Sequence, residues 1–114
     1  DVKESRICDL IKGLDSTLEV SSLELREAVK LRFSTDIEDL RDCGIYIVTV
    51  PTPIDDNNIP NLDPLRNACE LVAKTIRKGD VVIFESTVFP GCTEEICVPI
   101  LEDFSSLTYN FDLS

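Results

Sequence analysis

The 114-residue sequence has no histidine, and its cysteines include no Cys-x-x-Cys pair. Zinc sites are built from thiolates and imidazoles at short spacings, so these absences argue against a metal site. We expect reduced cysteines that behave as small hydrophobic residues. Cys92 alone has a second interpretation, because its position in a Pro-Gly-Cys-Thr turn before a predicted helix favours a lowered thiol pKa. The five cysteines are Cys8, Cys43, Cys69, Cys92 and Cys97.

Basic residues are also scarce: the sequence contains 11 Lys and Arg residues and 22 Asp and Glu residues, which gives a net charge of -11. Binding to a nucleic-acid backbone needs a basic face, so we expect no nucleic-acid partner. Backbone N–H groups at helix starts can still bind phosphate, and an anionic nucleotide is therefore compatible with this charge. No apolar run approaches the roughly 20 residues that span a bilayer, and no cleavable signal opens the chain. These features predict a cytoplasmic protein without a membrane partner.

The glycines are few and isolated, at positions 13, 44, 79 and 91. They cannot form the Gly-x-Gly-x-x-Gly turn with which a dinucleotide-binding fold begins. The chain also starts at Asp1 without a methionine and ends where a strand is predicted to begin. Its length suits one hydrophobic core. We therefore expect residues 1–114 to be a single domain that is an internal fragment of a longer protein.

Short β-branched runs alternate with helical patterns along the chain. A parallel strand usually lies between two layers, so the unbroken apolar run 45–50 predicts burial on both faces. Asp63 is expected to cap a helix with Pro64 at its first position, and Pro99 to kink or shorten a later helix. The alternation predicts a three-layer α/β sheet. The predicted strands are 31–33, 45–50, 81–84 and 109–113, and the predicted helices are 3–12, 22–30 (capped by Ser21 or Ser22), 36–42, 64–77 and 94–104.

Two of these strands end abruptly in small hydroxyl and proline residues. Val-Pro-Thr-Pro (50–53) ends one strand, and Ser-Thr-Val (86–88) follows the next. In an open parallel sheet, ligands bind outside the carboxyl ends of the strands. Because a helical segment links the two strands, their ends are predicted to form two walls of one nucleotide site.

Three segments in this order and spacing resemble the UDP-glucose/GDP-mannose dehydrogenase family: Val-Pro-Thr-Pro-Ile-Asp (50–55), Pro-Asn-Leu-Asp (60–63) and the run 78–95. Residues 1–7 resemble the family segment after the second strand, so the resemblance runs almost end to end. Pro51, with Ile-Asp after Pro53, is more like the branch that acts on UDP-N-acetylhexosamines. The resemblance implies an α/β fold: a partial Rossmann-like, doubly wound parallel sheet that lacks the first strands and the Gly-rich turn.

The family oxidises the C6 hydroxyl of a nucleotide sugar to a carboxylate in two NAD-dependent steps. The resemblance therefore implies part of a bacterial UDP-N-acetylhexosamine 6-dehydrogenase, with NAD as cofactor, a UDP-sugar as substrate and a homo-oligomeric state, serving surface-polysaccharide biosynthesis. The family's thiol nucleophile and the lysine, asparagine and glutamate that assist catalysis match no residue of this chain. The chain by itself is accordingly expected to be inactive.

The resemblance also assigns roles to individual residues. It implies that Asp1 hydrogen-bonds the adenosine ribose hydroxyls and that Arg6 lies near the adenosine end of the cofactor. From the sequence alone, each could equally be an ordinary solvent-exposed charge. Thr87 matches a threonine that helps hold a catalytic water or the developing oxyanion, and is the predicted catalytic residue. The predicted cofactor-binding residues are Asp1, Arg6, Val50, Pro51, Thr52, Pro53, Ser86, Thr87 and Val88.

Two other interpretations of the sequence stay open. A different β-hydroxyacid dehydrogenase on the same fold also carries serine and threonine at strand ends. Assays of the complete gene product on UDP-sugars and on small hydroxy acids would separate it from the first interpretation. A non-catalytic interaction module is the other alternative, and a native start codon just before Asp1 would favour it.

Overall fold

A computed structural model describes residues 1–54, 56 and 58–114; Asp55 and Asn57 lie outside the described residues, and with them part of the loop motif 50–55. The chain divides into two compact units, unit 1 (Asp1–Asp39) and unit 2 (Leu40–Ser114). Within the described residues, no helix is both long and apolar enough to cross a membrane. The elements are α1 (Glu4–Ile11), α2 (Ser22–Glu27), a 3-10 helix (Ile37–Leu40), β1 (Ile45–Val48), α3 (Asp63–Ala73), β2 (Val81–Phe84), a π-helical turn (Thr93–Cys97) and α4 (Val98–Ser105).

Unit 1 contains two short helices, as predicted. The start of α2 is fixed by a capping box, in which Ser21 Oγ accepts a hydrogen bond from Glu24 N at 3.3 Å and Glu24 Oε2 accepts one from Ser21 N at 2.8 Å. The helix ends at Glu27, three residues earlier than expected. The strand predicted at 31–33 was wrong: these residues have no regular secondary structure and follow a turn in which Leu31 N donates to Ala28 O at 2.9 Å. Three residues, of which only Leu31 and Phe33 are apolar, are too short a run to maintain a strand without a partner.

Unit 2 is built on a parallel pair of strands. β1 and β2 pair in register from Ile45 with Val81 to Val48 with Phe84, which confirms the parallel α/β class. The prediction that β1 is buried on both faces was wrong, because burial alternates along it. Tyr46 and Val48 face the core, whereas Ile45 and Ile47 are 62% and 60% exposed. Successive side chains of a strand point to opposite faces, and α3 and α4 cover only one of them.

α3 crosses over from β1 to β2 and supplies much of the core. Its apolar stripe recurs at helical spacing, with Leu65 1% and Cys69 0% exposed. Pro64 occupies the first turn as predicted, since its missing N–H has no partner to lose there. The prediction that Asp63 caps the helix was wrong. Asp63 is already helical, and the side chain of Asn61 accepts its N–H at 2.9 Å.

The helix after β2 is interrupted near Pro99, as the sequence predicts. A π-helical turn covers Thr93–Cys97, and α4 begins at Val98. Proline has no N–H for the preceding turn, and a π-helical turn is a common way for a helix to absorb such a defect. Cys97 and Leu101, one on each side of the interruption, are both 1% exposed and pack into the same core.

The strand predicted at 109–113 was wrong in position. Tyr109 and Leu113 form only an isolated bridge, and Asp112 N donates to Thr108 O at 2.7 Å in a turn. Backbone hydrogen bonds to the β2 segment begin at Asp112, whose O accepts from Gly79 N at 2.6 Å, and continue at Ser114. Ser114 N donates to Asp80 O at 3.2 Å, and Val82 N donates to Ser114 O at 2.7 Å. β2 therefore makes backbone hydrogen bonds on both of its edges.

Candidate functional site

The carboxyl ends of β1 and β2 lie side by side at one edge of the parallel sheet. Glu85 N donates to Val48 O at 3.0 Å, which continues the ladder just past both strands. Two residues further, Ser86 Oγ donates to Val50 O at 2.8 Å. The segments 50–53 and 86–88 are thus directly connected, as predicted from the strand ends. We refer to these two segments together as the strand-end edge.

Thr52 carries the most informative polar atom of the strand-end edge. Its Oγ1 is buried and, among the described residues, has no hydrogen-bond partner. The neighbouring residues Pro51 and Pro53 have no N–H, and Pro53 O accepts Asn61 N at 2.7 Å to close the following loop. A buried polar group without a partner costs roughly 1–3 kcal/mol, so such an atom needs an explanation. A ligand that hydrogen-bonds this hydroxyl would supply one.

Segment 86–88 forms the other wall of the strand-end edge, and its three residues differ in their contacts and exposure. The hydroxyl of Ser86 is already engaged by Val50, and Val88 is partly buried against the core. Thr87 lies between them and is exposed to solvent. Of the two hydroxyl-bearing residues in this wall, Thr87 is therefore the one exposed to solvent.

Asp1 and Arg6 belong to unit 1, whereas the other predicted site residues belong to unit 2. Asp1 is exposed, and its Oδ1 accepts the N–H of Lys3 at 2.8 Å. Arg6 Nη1 donates to Asp15 Oδ1 at 3.2 Å and to Ser16 Oγ at 3.1 Å. The Arg6 guanidinium thus has partners within unit 1, rather than being the solvated surface charge that the sequence alone suggests.

Asp15 is a residue whose importance the sequence analysis missed. Its side chain is only 3% exposed, and it accepts hydrogen bonds from Thr17 Oγ1, from three backbone N–H groups and from Arg6. The side-chain and backbone hydrogen bonds of Thr17 hold the pKa of Asp15 well below its ordinary value. The available signal was Asp15-Ser16-Thr17 after Gly13, because aspartate in such a run favours side-chain to backbone turns.

A shallow depression of about 660 Å³ lies in unit 1 and contains none of the predicted site residues. Its lining includes the carboxylates of Asp9, Asp15, Glu19 and Glu24. Four acidic groups repel the phosphates of a nucleotide, so this depression is a poor candidate for the predicted site.

The expectation of a lowered pKa at Cys92 was wrong. The residue is 0% exposed, and burial raises the pKa of its thiol. Cys69 and Cys97 are likewise buried, and all five cysteines are free, Cys8 and Cys43 being exposed. In the part of the chain that the structure describes, no cluster of His, Cys, Asp and Glu is arranged to hold a metal. The buried thiols fill space in the core, as small hydrophobic residues do.

A parallel sheet with hydroxyl-bearing loops at one edge is the arrangement of ligand sites in open α/β folds. Residues 1–114 match the model of the UDP-glucose/GDP-mannose dehydrogenase family, NAD binding domain. The chain belongs to this family, and the resemblance seen in its motifs is confirmed. NAD is the cofactor of the domain to which it corresponds.

Individual relatives agree with this assignment. The chain is 54% identical over 112 residues to the UDP-N-acetyl-D-glucosamine 6-dehydrogenase of Pseudomonas aeruginosa, a match that covers 98% of this chain and 26% of that protein. It is 50% identical over the same length to the enzyme of that name from Salmonella typhi, with the same coverage. A solved structure of a UDP-D-ManNAc dehydrogenase from Pyrococcus horikoshii superposes with a TM-score of 0.91 at 30% identity, over 99% of this chain and 28% of that one.

These matches fix the fold as that of a Rossmann-like dehydrogenase domain. They also show that the chain spans about a quarter of the length of the curated relatives it matches. The strand-end edge fits NAD in one specific respect, because the buried hydroxyl of Thr52 lacks a partner among the described residues.

Proposed function

We propose that this chain forms part of the NAD site of a bacterial UDP-N-acetylhexosamine 6-dehydrogenase. The complete protein would oxidise the C6 hydroxyl of a UDP-N-acetylhexosamine to the uronic acid for surface-polysaccharide biosynthesis. The observation that supports this most is the strand-end edge, where two hydroxyl-bearing strand ends are joined at 2.8 Å and the Thr52 hydroxyl is buried without a partner among the described residues. The identities of 54% and 50% to UDP-N-acetyl-D-glucosamine 6-dehydrogenases favour the N-acetylhexosamine branch.

NAD bound at this site would supply the hydride acceptor for each of the two proposed oxidation steps at C6 of the sugar. The wall 50–53 would lie along the cofactor, with Thr52 Oγ1 donating to or accepting from it. Val50, Pro51 and Pro53 would hold this segment close to the cofactor, because the two prolines fix the backbone and add no N–H that needs a partner.

The wall 86–88 would lie beside the nicotinamide. Thr87, an exposed residue, would touch the reacting groups, where its hydroxyl would orient a water or donate to the oxyanion that develops at C6. A threonine hydroxyl is a weak base, so this role is orientation and charge stabilisation rather than proton abstraction. Ser86 and Val88 would complete the wall.

Asp1 and Arg6 would contact the adenosine end of NAD. A carboxylate accepts hydrogen bonds from both hydroxyls of a ribose, which suits Asp1. Arg6 would keep its ion pair with Asp15 and present its remaining N–H groups to the cofactor. We further propose that residues 1–114 form one domain of a cytoplasmic homo-oligomer that binds neither nucleic acid nor membrane.

The test is an assay of the complete gene product with NAD and UDP-N-acetylglucosamine, UDP-N-acetylmannosamine, UDP-glucose, GDP-mannose or a small β-hydroxy acid. We expect the N-acetylhexosamines to be preferred, with twice as much NADH formed as sugar consumed. Thr87→Val should lower kcat by about a hundredfold, the usual effect of removing one oxyanion donor. Thr87→Ser keeps the hydroxyl and should retain most of the activity. Preference for a hydroxy acid, or equal activity of the valine and serine variants, would contradict the proposal.

A further inference from the structure

The hydrogen bond between Ser86 and Val50 stands at the point where a backbone ladder would be expected to continue. Val81 N donates to Gly44 O at 3.0 Å, and Glu85 N, four residues further, donates to Val48 O at 3.0 Å. Donors on one strand of a parallel ladder are evenly spaced, two residues apart. The same register places the N–H of Thr87 opposite Val50 O. The structure places the hydroxyl of Ser86 on that carbonyl, at 2.8 Å.

Because Ser86 pairs with Val50 O through its side chain, the backbones of segments 50–53 and 86–88 can diverge while Val50 O keeps a hydrogen-bond partner. A backbone ladder would hold Thr87 in the plane of the sheet, whereas a side-chain donor lets the backbone leave the ladder after Glu85. Thr87 is exposed as a result, and Val88 turns back to pack against the core. The carbonyl that Ser86 holds lies two residues before Thr52, whose buried Oγ1 has no partner among the described residues.

On the basis of the proposed function, we infer that Ser86 is a positioning residue: its hydroxyl fixes the Val50 carbonyl and thereby presents the Thr52 hydroxyl to NAD. Ser86 acts through the segment 50–53 and not through a bond of its own to the cofactor. Loss of the Ser86 hydroxyl frees Val50 O and loosens the segment that carries Thr52.

The test uses Ser86→Ala in the complete gene product, with two readouts. Hydrogen exchange of the cofactor-free protein should show the amides of Glu85 and Asn61, which donate to Val48 O and Pro53 O, exchanging about five- to tenfold faster, while the amides of α3 and α4 are unchanged. Calorimetry should show NAD binding about five- to tenfold weaker, which is the usual effect of losing one hydrogen bond.

Ser105 supplies a matched control elsewhere in unit 2. Its Oγ donates to Leu101 O, so it is also a partly buried serine bonded to a backbone carbonyl. Ser105→Ala should leave NAD binding and the exchange of the Glu85 and Asn61 amides unchanged. Ser86→Thr keeps a hydroxyl donor and should bind NAD within about twofold of wild type.

A role through Thr52 also predicts coupling between the two positions. In a Thr52→Val background, Ser86→Ala should weaken NAD binding by less than about twofold, because the hydroxyl that it positions is already gone. If Ser86→Ala does not fold, Ser86→Cys replaces it, since a thiol is a weaker donor of nearly the same shape. Ser86→Cys should then weaken NAD binding by about threefold and speed the same two amides.

Each outcome decides the inference. Faster exchange throughout unit 2 with unchanged NAD binding would show a purely structural serine and overturn it. Equal effects of Ser86→Ala in the wild-type and Thr52→Val backgrounds would show a direct cofactor contact and overturn it as well. If the wild type binds NAD and the alanine and cysteine variants bind it as tightly as the wild type, the inference about Ser86 is overturned, but the proposed function is not. Wild-type protein that does not bind NAD overturns the proposed function, and the inference with it.

Discussion

Replacement of Thr52 by valine should stabilise the cofactor-free protein. Valine keeps the shape of threonine and removes the hydroxyl, whose oxygen is buried and lacks a partner among the described residues. Such an atom costs roughly 1–3 kcal/mol in the folded state. We expect the free energy of unfolding to rise by about 1–2 kcal/mol, which is a melting temperature higher by roughly 4–10 °C in a domain of this size.

Thr75 provides the control for this substitution. It is 3% exposed, and its Oγ1 donates to Val72 O at 3.0 Å. Val72 O also accepts the backbone N–H groups of Thr75 and Ile76, so it remains paired when the hydroxyl is removed. Thr75→Val should therefore lower the free energy of unfolding by only about 0.5–1 kcal/mol. The two valine substitutions are thus expected to change the free energy of unfolding in opposite directions.

The measurement is urea unfolding of both variants and the wild type without NAD, repeated with saturating NAD on the complete gene product. NAD should stabilise the wild type more than Thr52→Val, because ligand stabilisation follows affinity and the variant would lack the hydrogen bond that we propose between Thr52 and the cofactor. A decrease in stability for Thr52→Val without NAD, similar to that of Thr75→Val, would refute the reasoning. It would mean that the Thr52 hydroxyl already has a partner in the free protein.

Three further predictions concern the rest of the chain. Asp15→Asn should lower the free energy of unfolding at neutral pH and make the loss of stability in acid less steep. Because the folded-state pKa of Asp15 is depressed, the stability that its carboxylate contributes is present above the ordinary pKa of about 4 and is lost as the pH falls below that value. Urea titrations at several pH values would contradict this if the variant kept the wild-type pH profile. Leu65→Ala should cost about 2–5 kcal/mol because Leu65 is 1% exposed, whereas Ile47→Ala, at a position 60% exposed, should cost less than about 1 kcal/mol; equal losses in denaturant unfolding would contradict the assigned core. The 114-residue chain on its own should bind NAD weakly or not at all, because its four separated glycines cannot form a pyrophosphate-binding turn, and micromolar affinity by calorimetry would refute this.

The elements that could be predicted are those with a long periodic signal or a sharp change of composition. β2 was predicted at its observed residues, 81–84, because an apolar run lies between Gly79-Asp80 and the polar residues that follow. α1 and α3 follow from apolar residues at helical spacing. The failures were at 31–33 and 109–113, where a few apolar residues alternate with polar ones as in a strand but pairing depends on a distant partner. Hydrogen bonds to the β2 segment involve only Asp112 and Ser114, and no local pattern indicates those residues.

The candidate site could be predicted as a location but not as a set of contacts. Parallel topology alone brings the ends of β1 and β2 to one edge, and the structure agrees. The ion pair between Arg6 and Asp15 joins residues nine positions apart through a turn, so it depends on side-chain geometry that the sequence does not encode locally. The burial of Cys92, which reversed the expected direction of its pKa shift, depends likewise on how α3 and α4 pack.

At the strand-end edge, hydrogen bonding passes from the backbone to side-chain hydroxyls. Pro51 and Pro53 have no N–H, so the segment 50–53 has few backbone donors with which to continue the sheet. Side-chain hydroxyls take over at this point: the one at Ser86 pairs with the protein at 2.8 Å, and the one at Thr52 has no partner among the described residues. Under the proposed function, the paired hydroxyl would fix the backbone and the unpaired one would bind the cofactor, which would recover its cost in stability. The contacts of the serine and the threonine thus differ in the structure, although their shared chemistry alone does not distinguish them.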